Sequence, residues 1–185
     1  MKTLSTKALL AMAHSPVRNY VIPGLTSYLI GSPGPAGTVR LFVNERDHQE
    51  AIAPHSHRFS FQCQVLRGAV RNRVWTQCSA GCGDFYTVSE LRYRGNVGSY
   101  EKVAIESGRY MHRDEIHDEG AVYSMRPEEI HSIFFSRGAM VLFFEGPTVA
   151  DRSILLEPLI DGETVPTGAV LPWMFQRGIR PTTAT

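Results

Sequence analysis

Apolar and polar residues alternate along most of this chain in short runs with a period of two, and glycine and proline cut the runs at close intervals. That period places successive side chains on opposite faces of an extended backbone, so it predicts half-buried strands rather than helices. The runs fall at residues 38–44, 52–66, 70–76, 85–88, 90–94, 99–105, 109–111, 122–125, 131–135 and 139–144. Residues 20–30 read as a further strand interrupted at Pro23-Gly24, and the glycine- and proline-rich stretch 31–37 is a loop. One helix is expected, over 5–14, where Leu9, Leu10 and Met12 stand among alanines and Pro16 stops the segment. Residues 77–83 are turn-rich, and the runs 73–76 and 85–88 on either side suggest a hairpin with Cys78 and Cys82 at its tip. Many short strands separated by turns predict an all-β antiparallel sandwich or barrel.

Length and charge narrow the picture. A chain of 185 residues fits a single domain, here 1–185, with the core barrel at about 38–147 and an N-terminal arm and an irregular C-terminal tail packed on it. The apolar cluster Leu171, Pro172, Trp173, Met174 and Phe175 offers that tail a surface to pack back on the sheet or to form a homodimer. Basic and acidic residues number 19 and 18, which leaves no field to favour nucleic acid or an anionic membrane, so the expected partner is a small molecule or another protein. The odd number of cysteines, Cys63, Cys78 and Cys82, fits a reducing compartment, and a cytoplasmic location is expected. The N-terminal apolar run, Ala8 with Leu9, Leu10, Ala11, Met12 and Ala13, is shorter than the roughly 7–15 residues of a secretory core and is not read as a signal.

Candidate chemistry centres on His55 and His57. Spaced i, i+2 on an extended segment, they project their imidazoles from one face, and Phe59, Phe61, Cys63 and Val65 continue that face into an apolar interior. Two imidazoles do not make a tight metal site, so a third ligand is needed, and His131 is the best candidate. The plain alternative is a pair of strand histidines satisfied by hydrogen bonds. His112 and His117 lie in a highly charged stretch that reads as a solvated edge or loop, His117 being a secondary candidate for a ligand or proton shuttle, and His14 and His48 have no constellation around them. Cys78 and Cys82 read as loop thiols ahead of a metal or redox pair, and Cys63 as a buried structural thiol. Arg71 with Arg73 and Arg92 with Arg94 each share a strand face, an exposed barrel face ahead of an anion pocket. Tyr86, Tyr100 and Tyr123 lie on strands, with either direction open.

The stretch from His55 to Gly68, together with Gly120 to His131, resembles the two signature motifs of the cupin superfamily, small metal-binding jelly-roll barrels. His55-Ser56-His57 supplies the first pair, Gly68 follows at the required spacing, and Gly120 and His131 are correctly separated. Pro127 is one place late, Glu128 stands where the second glycine is expected, and Gln49 fills the slot of the leading glycine. Strict spacing puts Phe61 where the family has a glutamate ligand, with Gln62 beside it. The resemblance implies a single-domain cupin-type barrel with one divalent metal ion on His55, His57 and His131, joined by Gln62 through its amide oxygen. Neutral ligands leave such an ion strongly Lewis acidic. The set is similar to the three-histidine iron site of the thiol dioxygenase branch, which implies an Fe(II)-dependent dioxygenase-like oxidoreductase acting on a small molecule, with Zn, Ni or Mn as other ions. Phe59, Phe61, Phe134 and Phe143 are expected to form the water-excluding interior. A metal-dependent isomerase or lyase, and a non-catalytic barrel binding a small ligand or a protein partner, are the alternatives, since fold does not determine reaction.

Overall fold

The computed structural model describes residues 5–31, 37–47, 52–79, 81–93 and 100–160, and the backbone of 163–164. Alternation becomes strand almost throughout. The helix α1 (Thr6–Met12) is capped by Ser5, whose side chain accepts from the Ala8 amide. It ends at Met12, two residues before the expected His14, because pairing begins at once in β1 (Ala13–Val17). Pro16 therefore sits in an edge strand, where its missing N–H costs no ladder bond. The strand expected over 20–30 begins only after the Pro23-Gly24 turn, as β2 (Leu25–Ile30). There follow β3 (Thr38–Asn44), β4 (Phe61–Arg67), β5 (Ala69–Cys78), β6 (Asp84–Tyr93) and β7 (Tyr100–Asp118). Then come β8 (Val122–Met125), β9 (Ile130–Phe135), β10 (Met140–Glu145), β11 (Arg152–Ile160) and β12 (Glu163–Thr164).

The strands form two six-stranded antiparallel sheets, ordered β1-β2-β3-β10-β4-β8 and β12-β11-β6-β7-β5-β9. Between them lies the main core, which includes Ile22, Phe42, Phe61, Val65, Val70 and Val141. Burying such side chains contributes about 1.5–3 kcal/mol each. No helix among the described residues is long and apolar enough to cross a membrane.

Four expectations are corrected. The hairpin between 73–76 and 85–88 does not form: β5 and β6 both pair with β7 instead, β5 along Asp118 to Arg109 and β6 along Tyr110 to Tyr100. The sequence reads β7 as two strands and a charged loop, yet it is one strand of 19 residues, long enough for its two halves to serve two partners. Nor is 52–66 one strand. Residues 54–57 pair with the second sheet: His55 and His131 exchange backbone bonds of 3.0 and 2.9 Å, Ser56 N–H donates to Ile154 O at 2.9 Å and Leu156 N–H to Pro54 O at 2.8 Å. The chain then crosses through Arg58 to Ser60 and enters the first sheet at Phe61. Finally, the irregularity expected of the tail after about residue 147 does not extend to β11, which pairs with β6 and buries Leu155 and Leu156 completely.

The bridges of His55 to both His131 and Leu155 have a topological result. Pairing runs from β5 to β9, to the histidine segment, to β11, to β6, to β7 and back to β5, so the second sheet closes on itself. Trp75, Tyr86, Val88, Tyr110 and Leu156, one apolar cluster, come from the strands of this circuit.

Candidate metal centre

His55 and His57 come from the crossing segment and His131 from β9, in the face-to-face register fixed by the His55–His131 bridge. All three are buried, at 6%, 4% and 3% exposure, and one ligand atom from each lies within 4.8 Å of the others. The ring centroids are separated by 4.8 Å (His55–His57), 5.2 Å (His55–His131) and 5.0 Å (His57–His131). His55 Nδ1–H donates to Ala53 O at 2.9 Å, and His131 Nδ1–H to Asn72 Oδ1 at 3.3 Å. Those bonds select the tautomers in which Nε2 carries the lone pair. His57 Nε2 approaches His131 Nε2 to 2.8 Å.

Burial sets the charge state. It lowers the pKa of His55, against an opposing bond to the Ala53 carbonyl, and pushes His57 and His131 well below the usual histidine value, the neighbouring imidazoles adding to the effect. The three rings are therefore neutral, as ligands must be. Adjacent nitrogens on one ion at about 2.0–2.1 Å would lie about 3 Å apart, and the donor set suits a borderline divalent ion. Among the described residues this is the group of three or more metal-capable side chains that comes together.

The imidazoles form one wall of a pocket that is partly open to solvent. Tyr20, Phe42, Phe59, Phe61, Phe135 and Phe143 supply the aromatic lining and Cys63 the thiol. Phe61 stands against the site itself, with its ring 4.9 Å from that of His57 and 5.6 Å from that of His131.

No protein-family model matches the chain, and no curated protein matches it. Solved structures do. An RmlC-like cupin from Shewanella frigidimarina is 13% identical, with 66% of this chain and 77% of that one covered and a TM-score of 0.39. Hydroxypropylphosphonic acid epoxidase from S. wedmorenis is 11% identical over 71% of this chain and 54% of its own, about half its length, with a TM-score of 0.42. The Streptomyces nucleoside dehydratase Pac13 is 15% identical over 86% and 89%, with a TM-score of 0.39. At such scores function has to be read from the chain's own residues. The two antiparallel sheets, and the meeting of His55 and His57 with His131 from the second motif, are what the sequence motifs require. The fold is a cupin-type barrel.

Other predicted residues take different places in this barrel. Gln62 is the clearest correction: on β4 the buried side chains are Phe61, Cys63 and Val65, so Gln62 points outward and its amide donates to Ser124 Oγ at 3.4 Å. It does not join the histidines. Phe134 is buried on the opposite face of β9 from His131, beneath the guanidinium groups of Arg71 (4.2 Å) and Arg73 (5.3 Å), and does not line the pocket. Both arginines pair with Asp114, whose carboxyl the Arg73 bond holds below the usual range. Arg92 pairs with Glu90, and neither lines the pocket. His112 packs on Trp75 and His117 stacks on Tyr123, both away from the centre, and His14 contacts Ser15 and the Gly31 carbonyl. Tyr86 belongs to the second cluster and Tyr100 packs against Tyr93. Cys78 and Cys82 are free thiols directed at the carbonyls of Cys82 and Ser79. Arg94, His48, Gln49 and the apolar cluster 171–175 lie outside the described residues.

Sequence reasoning missed Tyr20, Phe42, Phe135 and Asn72. Alternation could have found Phe42 and Phe135, which share strand faces with Arg40 and His131 respectively. Tyr20 lies just after a turn and Asn72 in the middle of β5, where no local signal marks them.

Proposed function

We propose that the chain is a metal-dependent enzyme that holds one divalent ion on His55, His57 and His131 and oxidises a small molecule with dioxygen, with iron(II) as the ion of first choice. The observation that carries this reading is the cluster itself: three buried neutral imidazoles, converging at one wall of an otherwise apolar pocket. Three protein ligands leave positions for substrate and dioxygen, and bound iron would relay to dioxygen the electrons that the substrate gives up as it is oxidised. The protein's part is to orient the rings through Ala53 and Asn72, to keep them unprotonated and to exclude water with Phe59, Phe61 and Phe143.

The pocket supports oxidation ahead of isomerase or lyase chemistry, which needs a group to move a proton. Among the described residues no carboxylate lines it, and burial pushes its other ionisable groups, Tyr20 and Cys63, up to about 12. One observation favours a second reading, a barrel that binds a small ligand without catalysis. In the motif that the chain resembles, the position of Phe61 belongs to a carboxylate ligand, and here its ring lies 4.9 Å from that of His57. Metal analysis by mass spectrometry on protein purified without a metal-affinity column separates the two. About one iron per chain, lost in His57→Ala and His131→Ala, is the expected result. Zinc or nickel would redirect the chemistry toward Lewis-acid catalysis, and failure to take up any ion after reconstitution would leave the binding protein.

A further inference from the structure

Two thiols stand outside the pocket lining, at the tip where β5 ends and β6 begins, and the local backbone brings them together. Gln77 on β5 and Asp84 on β6 pair with the same residue of β7, Tyr110, from its two sides, so the chain between them has to pass over β7. Glycine makes that close passage possible. Gly83 takes φ +60°, and a Cβ on it would run into Tyr110 O and stand 2.9 Å from Cys78 Sγ. Just before it, Cys82 N–H donates to Ser79 O at 3.4 Å, closing a turn with Gly81 at φ +96°.

The thiols meet inside that fold. Cys78 Sγ–H donates to Cys82 O at 3.2 Å and Cys82 Sγ–H to Ser79 O at 3.0 Å. The two thiols also hydrogen-bond each other, which raises the pKa of Cys78 against an opposing pull from the Arg109 guanidinium. Arg109, the β7 partner of Cys78, is held there by its bond to Gly83 O at 2.9 Å and by Phe85, whose ring it covers at 4.1 Å. A cation fixed beside partly exposed thiols favours the thiolate, the form that attacks a disulfide. We infer that Cys78 and Cys82 are a modification site, a dithiol that a small-molecule disulfide converts reversibly into an intramolecular bond. Cys82, the more exposed of the two contacts, attacks one sulfur of R–S–S–R and expels R–S⁻, and Cys78 then attacks the Cys82 sulfur and expels the second R–S⁻. Two cysteines are oxidised, one small disulfide is reduced, and the two R–S⁻ take up the protons that the cysteines release. Cys63, 2% exposed on the inner face of β4, takes no part.

The full chain, reduced and then mixed with oxidised glutathione in oxygen-free buffer after chelator treatment, tests this by intact mass and peptide mapping after quenching with iodoacetamide. The wild type is expected to lose two hydrogens, with the linkage mapped to Cys78 and Cys82, and to regain them in dithiothreitol. Cys78→Ser should halt at a stable glutathione adduct on Cys82, and Cys82→Ser should lose free thiol about tenfold more slowly than the wild type. Circular dichroism checks that both variants fold. A wild type that accumulates glutathione adducts in place of the internal bond overturns the inference, as does one that stays unmodified in excess oxidised glutathione. Linkage of either residue to Cys63 overturns it too, as does Cys82→Ser reacting as fast as the wild type.

Discussion

Asn72 decides which nitrogen of His131 faces the site. Its side-chain oxygen accepts the Nδ1 proton at 3.3 Å, and the residue is 1% exposed, so no water substitutes for it. Asn72→Leu should lower metal affinity by about 10–100-fold in competition with a chelating dye, the usual cost of losing such an orienting partner. Phe61→Glu tests the missing carboxylate, and its effect should change sign with the ion. Without metal, a buried unpaired carboxylate destabilises the fold; with metal it adds a charged ligand and should raise affinity at least tenfold. Equal melting shifts in both states would count against the geometry of the centre. Cys63 gives a third test at this scale. Its thiol is buried with a pKa pushed up to about 12, so it should resist a thiol reagent until the protein unfolds, while the partly exposed Cys78 and Cys82 react in the native state.

Between elements, the Lys102–Glu157 pair ties β7 to β11 across β6. Both carboxylate oxygens of Glu157 accept from Lys102 Nζ at 2.9 Å, and the Glu157 side chain is 3% exposed against 45% for the lysine. Lys102→Met should destabilise the protein by about 1–3 kcal/mol in urea unfolding because it strands the buried carboxylate, and adding Glu157→Leu should recover most of the loss. Such pairings were the least legible part of the sequence. Alternation correctly announced most of the strands, because each run reports its own burial. It could not say that β5 and β6 both turn to β7, since partner choice depends on residues far along the chain. The histidines were legible for the opposite reason: i, i+2 spacing is local, and the second motif placed His131 opposite. Gln62 shows where that logic had to be followed further. Its parity is opposite to that of Phe61 and Cys63, so alternation already assigned it to the outer face, and only its adjacency to the motif's glutamate position suggested a ligand.

For the whole molecule, the three neutral histidines link stability to pH. Their folded pKa values lie below the unfolded value, so on acidification the unfolded chain takes up protons that the folded chain refuses. Metal-free protein should therefore keep its full stability above about pH 6.5 and lose it below, with a slope of up to about 1.4 kcal/mol per pH unit for each histidine. Urea midpoints at pH 8, 6 and 5 check this. A flat profile, or a rise toward acid, would contradict the burial of the rings. Bound metal should add stability at neutral pH and steepen the acid loss, because protons then compete with the ion for the same nitrogens.

The closure of the second sheet at His55 bears on how an ion would leave. Residues 54–57 join that circuit through a handful of backbone bonds, to His131, Ile154, Leu156 and Pro127, while the strands on either side are held by long ladders. This is where the ring of pairing can part at least cost, by local opening rather than global unfolding. Two of the three imidazoles sit on the part that would swing free, so one opening removes both from His131 together. Release of a bound ion would then be a single event paced by the breathing of this seam, and its residence time would depend on a few hydrogen bonds as well as on the coordination bonds.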